Sequence, residues 1–237
     1  MDSARSFCYV RMVSFNFFRS GGSGMYPAGN LLLPVAHGQL EAILKQPRTT
    51  AKGVALVLHP HPLGGGTMHN KVVFRAAGAL NDAGLITLRI NFRGVGQSTG
   101  EHDEGQGELE DVRAGLEYLA REFPDQPITL CGFSFGARVG LEVGVSDNRV
   151  LNLISIGTPI DKYDFSFLEA NRRSILFVHG DHDEFGDLDN LQQLIKKLKA
   201  DDNVTLAVIK NADHFFEGHL DELKQVITDW TKRHLTT

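Results

Sequence analysis

The sequence has few cysteines and no long apolar run. Its 237 residues include only two cysteines, Cys8 in the N-terminal segment and Cys131 in a predicted buried strand, which excludes a disulfide framework. Thiols of this kind persist in a reducing compartment, so we expect a cytoplasmic protein. No stretch approaches the roughly 18 consecutive apolar residues of a membrane-spanning helix, and we expect no membrane partner.

Neither sign of charge is in strong excess. The chain carries 24 Lys and Arg against 29 Asp and Glu, a formal net charge of −5. The basic residues are scattered along the sequence rather than gathered into a stripe, so the electrostatic pattern of a nucleic-acid-binding protein is missing. We therefore expect no nucleic-acid partner, and the oligomeric state stays open between monomer and homodimer.

The first 30 residues differ in character from the rest. They are predicted to form a poorly ordered leader, and Met25 is a second candidate for the natural start. Arg11 interrupts the apolar run of this leader and no small-residue cleavage site follows, which argues against a secretory signal. Residues 31–237 show no repeat or linker and are predicted to be one domain.

From residue 31 onward, short apolar runs alternate with helical patterns. Strands are predicted at 31–35, 40–45, 54–59, 85–91, 128–131, 150–156, 174–179 and 204–209. Helices are predicted at 70–83, 108–123, 135–145, 188–199 and 220–232. This alternation predicts an α/β fold with a mostly parallel sheet of about eight strands and helices on both faces. Only residues 157–173 separate two of the strands, which leaves no room for a substantial cap domain.

The stretch Gly132-Phe133-Ser134-Phe135-Gly136 lies where a predicted strand ends and a helix begins. This G-x-S-x-G pattern in a strand-turn-helix context is typical of a nucleophile elbow, which exposes a serine hydroxyl above the carboxyl edge of the sheet. Glycines two residues to either side allow the chain to pass through the sharp bend. Ser134 is therefore the candidate nucleophile.

A serine nucleophile needs a histidine base and an acid that orients it, in the chain order serine, acid, histidine. His214 follows the last predicted strand, and we expect it to be the general base. Asp183 follows the strand before that and is the preferred acid, with Asp181 as its rival. All of these residues come at the carboxyl ends of strands, where ligands bind in open α/β folds.

An oxyanion hole requires two amide donors. One should be the backbone N–H of Phe135, directly after the nucleophile, and the other should come from residues 59–67 after the third strand. Pro60 and Pro62 have no N–H, which leaves His61 as the leading donor and Leu63 as the alternative.

Five segments together carry a resemblance to a known family: HPHPLGGGTMHNKVV, RINFRGVGQSTG, GFSFGA, HGDHDEF and ADHFF. Across about residues 31–235, the chain resembles the small lidless bacterial α/β-hydrolases, relatives of dienelactone hydrolases and serine carboxylesterases. The resemblance implies an α/β-hydrolase fold, a triad of Ser134, Asp183 and His214, and an oxyanion hole made by the Phe135 and His61 amides. Dienelactone hydrolases have cysteine at the elbow, so the serine found here favours ordinary esters.

Other candidate features receive smaller roles. Phe185 and Phe216 are the candidates for contact with substrate, whereas His59 and His69 are predicted to be hydrogen-bonded loop residues. Residues 94–100 lack the spacing of a dinucleotide-binding loop, and we expect no cofactor. The His and Asp residues at 179–183 could suggest a metal site, but a serine elbow already supplies a nucleophile, so we expect no metal.

The predicted function is that of a serine carboxylesterase that hydrolyses short-chain, water-soluble carboxylic esters through an acyl-enzyme intermediate. A thioesterase or small peptidase with the same triad is the first alternative, because one nucleophile serves all acyl transfers. A non-catalytic ligand-binding homologue of the fold is the second.

Overall fold

The central element is an eight-stranded sheet, seen in a computed structural model that describes residues 29–198 and 203–235. Its strands in chain order are β1 Gly29–Val35, β2 Gly38–Lys45, β3 Gly53–Leu58, β4 Leu85–Ile90, β5 Ile128–Phe133, β6 Val150–Ile156, β7 Ser174–Gly180 and β8 Val204–Ile209. The helices are α1 Lys71–Asp82, α2 Gln106–Glu122, α3 Phe135–Ser146, α4 Leu188–Lys197 and α5 Leu220–His234.

The strands lie in the order β1-β2-β4-β3-β5-β6-β7-β8. Pairing of β1 with β2 and of β2 with β4 is antiparallel, and every other neighbouring pair is parallel. Because the parallel strands point the same way, the loops that follow β3, β5, β7 and β8 all emerge at one edge of the sheet. The sheet is the one that the sequence predicts.

Helices cover both faces of the sheet and create two apolar cores. Side chains of α2, α3 and α4 pack with one face, and those of α1 and α5 pack with the other. Strands β3, β4 and β5 are buried along their whole length, which is why their sequences are apolar runs rather than alternating patterns.

Several element boundaries differ by one or two residues from the predicted ones. Strand β1 begins at Gly29, two residues before the predicted strand, so residues 29 and 30 of the predicted leader belong to β1, and residues 1–28 lie outside the described residues. Helix α2 begins at Gln106, after Gly105 with φ 99°, and not at residue 108. Glu108 is consequently a buried residue within the first turn, where its carboxylate accepts hydrogen bonds from the backbone of the preceding loop.

The segment 157–173 connects the carboxyl end of β6 to the start of β7 and contains one short 3₁₀ helix, Ser166–Ala170, anchored by the buried Phe165 and Leu168. Across the described residues no cap domain lies over the sheet, as the sequence predicts. In the same part of the chain, no helix has the length and apolar character that crossing a membrane requires.

Leu56 lies in the centre of β3, in the core that the sheet forms with α2, α3 and α4. Its truncation measures how much packing in this core contributes to stability. It is fully buried and its methyl groups face Gly115 of α2, where a Cβ would lie 3.0 Å away. We expect Leu56→Ala to lower the free energy of unfolding by about 2–5 kcal/mol, through lost burial and a residual cavity. Urea unfolding measures the change, and Leu32→Ala is the matched control.

Leu32 lies on the edge strand β1 and is 50% exposed, so its truncation should cost about 0.5 kcal/mol or less. Equal losses in the two variants would contradict the placement of the core.

Candidate active site

Ser134 lies between β5 and α3 in a strained backbone conformation. Its φ of 55° and ψ of −120° belong to a region that residues with a Cβ rarely adopt, at a cost on the order of 1–3 kcal/mol. Hydrogen bonds hold the bend: the Ser134 N–H donates to the Ile156 carbonyl at 2.9 Å, and the Ser134 carbonyl accepts from Ala137 and Arg138. The surrounding sheet and helix therefore stabilise the strained serine.

The two glycines of the motif are required by close backbone contacts. A Cβ on Gly132 would lie 2.2 Å from the Gly136 carbonyl oxygen, and a Cβ on Gly136 would lie 2.5 Å from that of His59. Neither distance is tolerable for real atoms, so helix α3 can approach β5 and the loop after β3 only with glycine at both positions.

The structure brings Ser134, His214 and Asp183 together in one hydrogen-bonded chain. His214 Nε2 lies 2.9 Å from Ser134 Oγ, and His214 Nδ1 lies 2.9 Å from each Asp183 carboxylate oxygen. The Asp183 side chain is fully buried, and its Oδ1 also accepts from the Phe185 N–H at 2.9 Å. With Nδ1–H donated to the carboxylate, the Nε2 lone pair is positioned to accept the serine proton.

Asp181, the rival acid, has a different partner. Its Oδ1 accepts from the Asn211 N–H at 2.6 Å and so ties the loop after β7 to the turn after β8. Asn211 occupies that turn with φ 58°. Asp181 thus supports the loop that carries His214, and Asp183 is the acid that His214 contacts.

The Phe135 and His61 amides are not engaged by protein acceptors. Within the described ranges, neither N–H donates a hydrogen bond. The Leu63 N–H, in contrast, donates to His61 Nδ1 at 3.2 Å. Between the two alternatives for the second oxyanion donor, only His61 has an amide free to bind an oxyanion.

His59 orients the His61 amide. The sequence predicted His59 only as a hydrogen-bonded loop residue and did not indicate this role. The imidazole is fully buried; its Nδ1–H donates to the Pro60 carbonyl at 2.6 Å and its Nε2 accepts from the Phe92 N–H at 3.0 Å. In a trans peptide the carbonyl and the following N–H point in opposite directions. Holding the Pro60 carbonyl therefore orients the His61 N–H.

This role requires neutral histidine, because imidazolium has no lone pair to accept from Phe92. Burial lowers the pKa of His59 to about 4 and so maintains the neutral form. The signal that could have found it is the position of a histidine at the end of a buried strand, directly before the Pro60-His61 peptide.

Aromatic rings contact the His214 imidazole. Of the two phenylalanines that the sequence predicts to contact substrate, only one is among them. Phe185 lies 4.5 Å from the His214 ring between centroids and is 37% exposed, as a substrate-contacting residue would be. The expectation for Phe216 is wrong: it has φ 53° and its fully buried side chain belongs to the core beneath α1 and α5. Its neighbour Phe215, 37% exposed and 5.2 Å from His214, lies at the site instead.

The other groups near the site have structural partners. His179 is buried and its Nε2 donates to the Gly186 carbonyl at 2.7 Å, which holds the loop that carries Asp183. Cys131 is buried beneath the elbow, and burial raises the pKa of its thiol. Of the residues that the structure describes, no three His, Cys, Asp or Glu are grouped in a way that could hold a metal ion.

Comparison with known proteins agrees with this geometry. Residues 53–230 match the family described as alpha/beta hydrolase domain. The chain belongs to this family. An uncharacterized protein of Rickettsia prowazekii (strain Madrid E) is 36% identical over 200 residues, which cover 81% of this chain and 84% of that protein.

Several solved structures are similar over most of the chain. An alpha-beta serine hydrolase homologue from Coxiella burnetii has a TM-score of 0.81 and 36% identity, covering 87% of this chain and 99% of that one. A serine hydrolase without lid from Xanthomonas campestris has a TM-score of 0.82 and 33% identity, covering 90% of this chain and 99% of that one. These relatives support a lidless α/β-hydrolase.

The lowered pKa of His59 predicts a pH dependence of stability. Its ordinary pKa is 6.5, so between pH 6.5 and about 4 the unfolded chain binds a proton that the folded chain does not. The stability contributed by neutral His59 is present above pH 6.5 and is lost as pH falls, by roughly 3 kcal/mol at pH 4. We expect His59→Gln, which keeps an acceptor but does not titrate, to lose less stability over this range.

Urea unfolding of both proteins at pH 7, 6 and 5 measures the difference, and other titrating groups cancel in the comparison. Parallel pH profiles would show that His59 has the same pKa in the folded and unfolded states.

Proposed function

We propose that the protein is a serine carboxylesterase that hydrolyses short-chain, water-soluble carboxylic esters through an acyl-enzyme. The observation that carries this proposal is the continuous chain of hydrogen bonds from Ser134 Oγ through His214 to the buried Asp183 carboxylate. The serine hydrolase relatives from Coxiella burnetii and Xanthomonas campestris support the same chemistry.

Acylation begins when Ser134 Oγ attacks the ester carbonyl carbon and His214 Nε2 accepts the hydroxyl proton. Asp183 stabilises the imidazolium that forms, and the Phe135 and His61 amides donate to the oxyanion. The tetrahedral intermediate then collapses. The bond to the alcohol oxygen breaks, and the Nε2 proton passes to that oxygen as the alcohol leaves.

Deacylation repeats these steps with water as the nucleophile. His214 removes a proton from the water, the hydroxide adds to the acyl carbon, and the proton returns to Ser134 Oγ as the acid leaves. In the described part of the chain no cap domain lies over the carboxyl edge, which supports small substrates in water over long lipids. The exposed Phe185 and Phe215 offer limited apolar surface beside His214.

Removal of the nucleophile tests the proposal directly. We expect Ser134→Ala to lower kcat/KM for p-nitrophenyl acetate and butyrate by on the order of 10⁶, because the residual triad cannot act without its nucleophile. Asp183→Asn should also lose most activity, since it disturbs the histidine tautomer. Asp181→Asn is the matched control: it retains an oxygen that can accept from Asn211, and it should retain most activity.

Undiminished turnover in Ser134→Ala would contradict the assignment. If the wild-type protein did not react with a fluorophosphonate at Ser134, the result would favour the alternative of a non-catalytic ligand-binding homologue. Rates on matched thioesters and amides separate an esterase from a thioesterase or peptidase.

The hydrogen bond from His59 to the Pro60 carbonyl allows a separate test of the oxyanion hole. Asparagine at 59 can place an N–H near the position of Nδ1, whereas glutamine can place its oxygen near that of Nε2. If orientation of the His61 amide stabilises the oxyanion, we expect kcat to fall about 10-fold or more in His59→Gln, with little change in KM.

His59→Asn, which keeps the donor to Pro60, should lose less kcat than His59→Gln. The reverse order would contradict the link between the Pro60 carbonyl and the oxyanion hole.

A further inference from the structure

A cleft lies directly beside the proposed oxyanion donors. It has a volume of about 310 Å³ and is lined by His61, Leu63, His102, Glu104, Phe135 and Tyr163. Two of these residues, His61 and Phe135, are those whose amides would hold the oxyanion. The cleft and the proposed oxyanion site therefore share two residues.

The two imidazoles of the cleft lie against each other, with ring centroids 4.8 Å apart. His61 Nδ1 accepts from the Leu63 N–H, so it carries no proton. Burial lowers the pKa of His61, which favours the neutral ring. The proton of neutral His61 must then be on Nε2, and this nitrogen is a hydrogen-bond donor.

His102 has the opposite tautomer. Its Nδ1 lies 2.8 Å from Oε1 of Glu108, whose side chain is fully buried. Burial acts to raise the pKa of Glu108, but hydrogen bonds from the Asp103 and Gly105 amides and from His102 outweigh it and lower the pKa. The carboxylate is thus ionised and accepts the Nδ1 proton of His102. In the neutral ring, Nε2 is then a hydrogen-bond acceptor.

The Nε2 atoms of both rings have no hydrogen-bond partner in the described parts of the chain, and neither is among the buried side-chain atoms that lack one. With both rings neutral, the adjacent imidazoles that line the cleft have one Nε2 donor and one Nε2 acceptor between them. A hydroxyl group, which both donates and accepts, matches this pair. A carboxylate, which only accepts, would leave His102 unmatched and would approach the negative Glu104.

The chemistry of the reaction determines which part of an ester reaches the cleft. His214 must protonate the leaving oxygen, so the alcohol portion lies beside His214 and the rings of Phe185 and Phe215. The acyl portion extends away from His214, past the amides of Phe135 and His61. Because His61 supplies both an oxyanion donor and an imidazole of the cleft, a hydroxyl that meets this imidazole is only a few bonds from the carbonyl carbon.

We propose that this cleft selects esters whose short acyl group carries a hydroxyl on one of the first carbons beyond the carbonyl. The proposal rests on the proposed esterase function and specifies its substrate class: hydroxyacyl esters. His61 Nε2–H donates to the hydroxyl oxygen and the hydroxyl proton is donated to His102 Nε2.

Matched esters test the proposal with the purified full chain. The set is ethyl butyrate, ethyl 2-hydroxybutyrate, ethyl 3-hydroxybutyrate and 2-hydroxyethyl butyrate, with acid release followed by titration at constant pH. Two net hydrogen bonds correspond to a gain of about 10- to 100-fold in kcat/KM for at least one hydroxyacyl ester over ethyl butyrate. The ester with its hydroxyl in the alcohol portion should show no such gain.

Equal rates on all four esters, or a gain only for 2-hydroxyethyl butyrate, would overturn the proposal while leaving the esterase function in place. No turnover of any ester, with no fluorophosphonate reaction at Ser134, would instead overturn the esterase function, and the hydroxyacyl proposal with it.

Two substitutions of His102 distinguish the effect of its hydrogen bond from the effect of its ring shape. We expect the ratio of kcat/KM for the preferred hydroxyacyl ester to that for ethyl butyrate to fall to about one in His102→Phe, which keeps a ring without an acceptor. His102→Gln, which keeps a polar atom near the position of Nε2, should retain part of the ratio. Because each ratio is taken within one variant, a general loss of activity or folded protein cancels, and an unchanged ratio in both variants would overturn the proposal.

Discussion

Parallel pairing of β5, β6, β7 and β8 is the constraint on which the site depends. Gly132 pairs with Ser155, Ser155 with Phe177, and Phe177 with Leu206, so the four strands advance together toward the same edge. The residues that follow three of these strands are Ser134, Asp183 and His214. A change of register by one residue would turn the strands' buried side chains to the opposite face and separate the three groups.

Buried carboxylates on both sides of the elbow follow one physical rule. Asp183 receives the Phe185 N–H, and Glu108 receives the N–H groups of Asp103 and Gly105. Backbone donors of this kind supply hydrogen bonds to carboxylate oxygens in places that water does not reach. Each carboxylate can then hold the Nδ1 proton of one histidine and leave that ring's Nε2 for the substrate. The same device therefore serves His214, where a proton moves, and His102, where we propose that a hydroxyl binds.

The sequence predicted which segments form strands and helices, the absence of a cap and the residues at the elbow. These features depend on apolar periodicity and on contacts within a few residues. It also predicted which loops would meet, since parallel strands share one carboxyl edge. Loop side chains were harder to predict. The positive φ of Phe216 directs its ring into the core, and nothing in the letters ADHFF distinguishes it from Phe215.

Roles that depend on hydrogen bonds between loop residues could not be predicted from the sequence either. Choosing His61 over Leu63 required the contact between the Leu63 amide and the His61 ring, and the part played by His59 required its bonds to Pro60 and Phe92. Such bonds depend on side-chain orientation in three dimensions, which periodicity does not report.

The single 3₁₀ turn of residues 157–173 has a consequence for how the protein distinguishes one molecule from another. In residues 29–198 and 203–235 no domain has to swing aside, so this part of the chain admits a substrate to the serine without a hinge motion. The same openness leaves much of any bound molecule in water. Discrimination must then come from atoms within a few bonds of the carbonyl carbon, and distant parts of the substrate can vary with little effect on its rate.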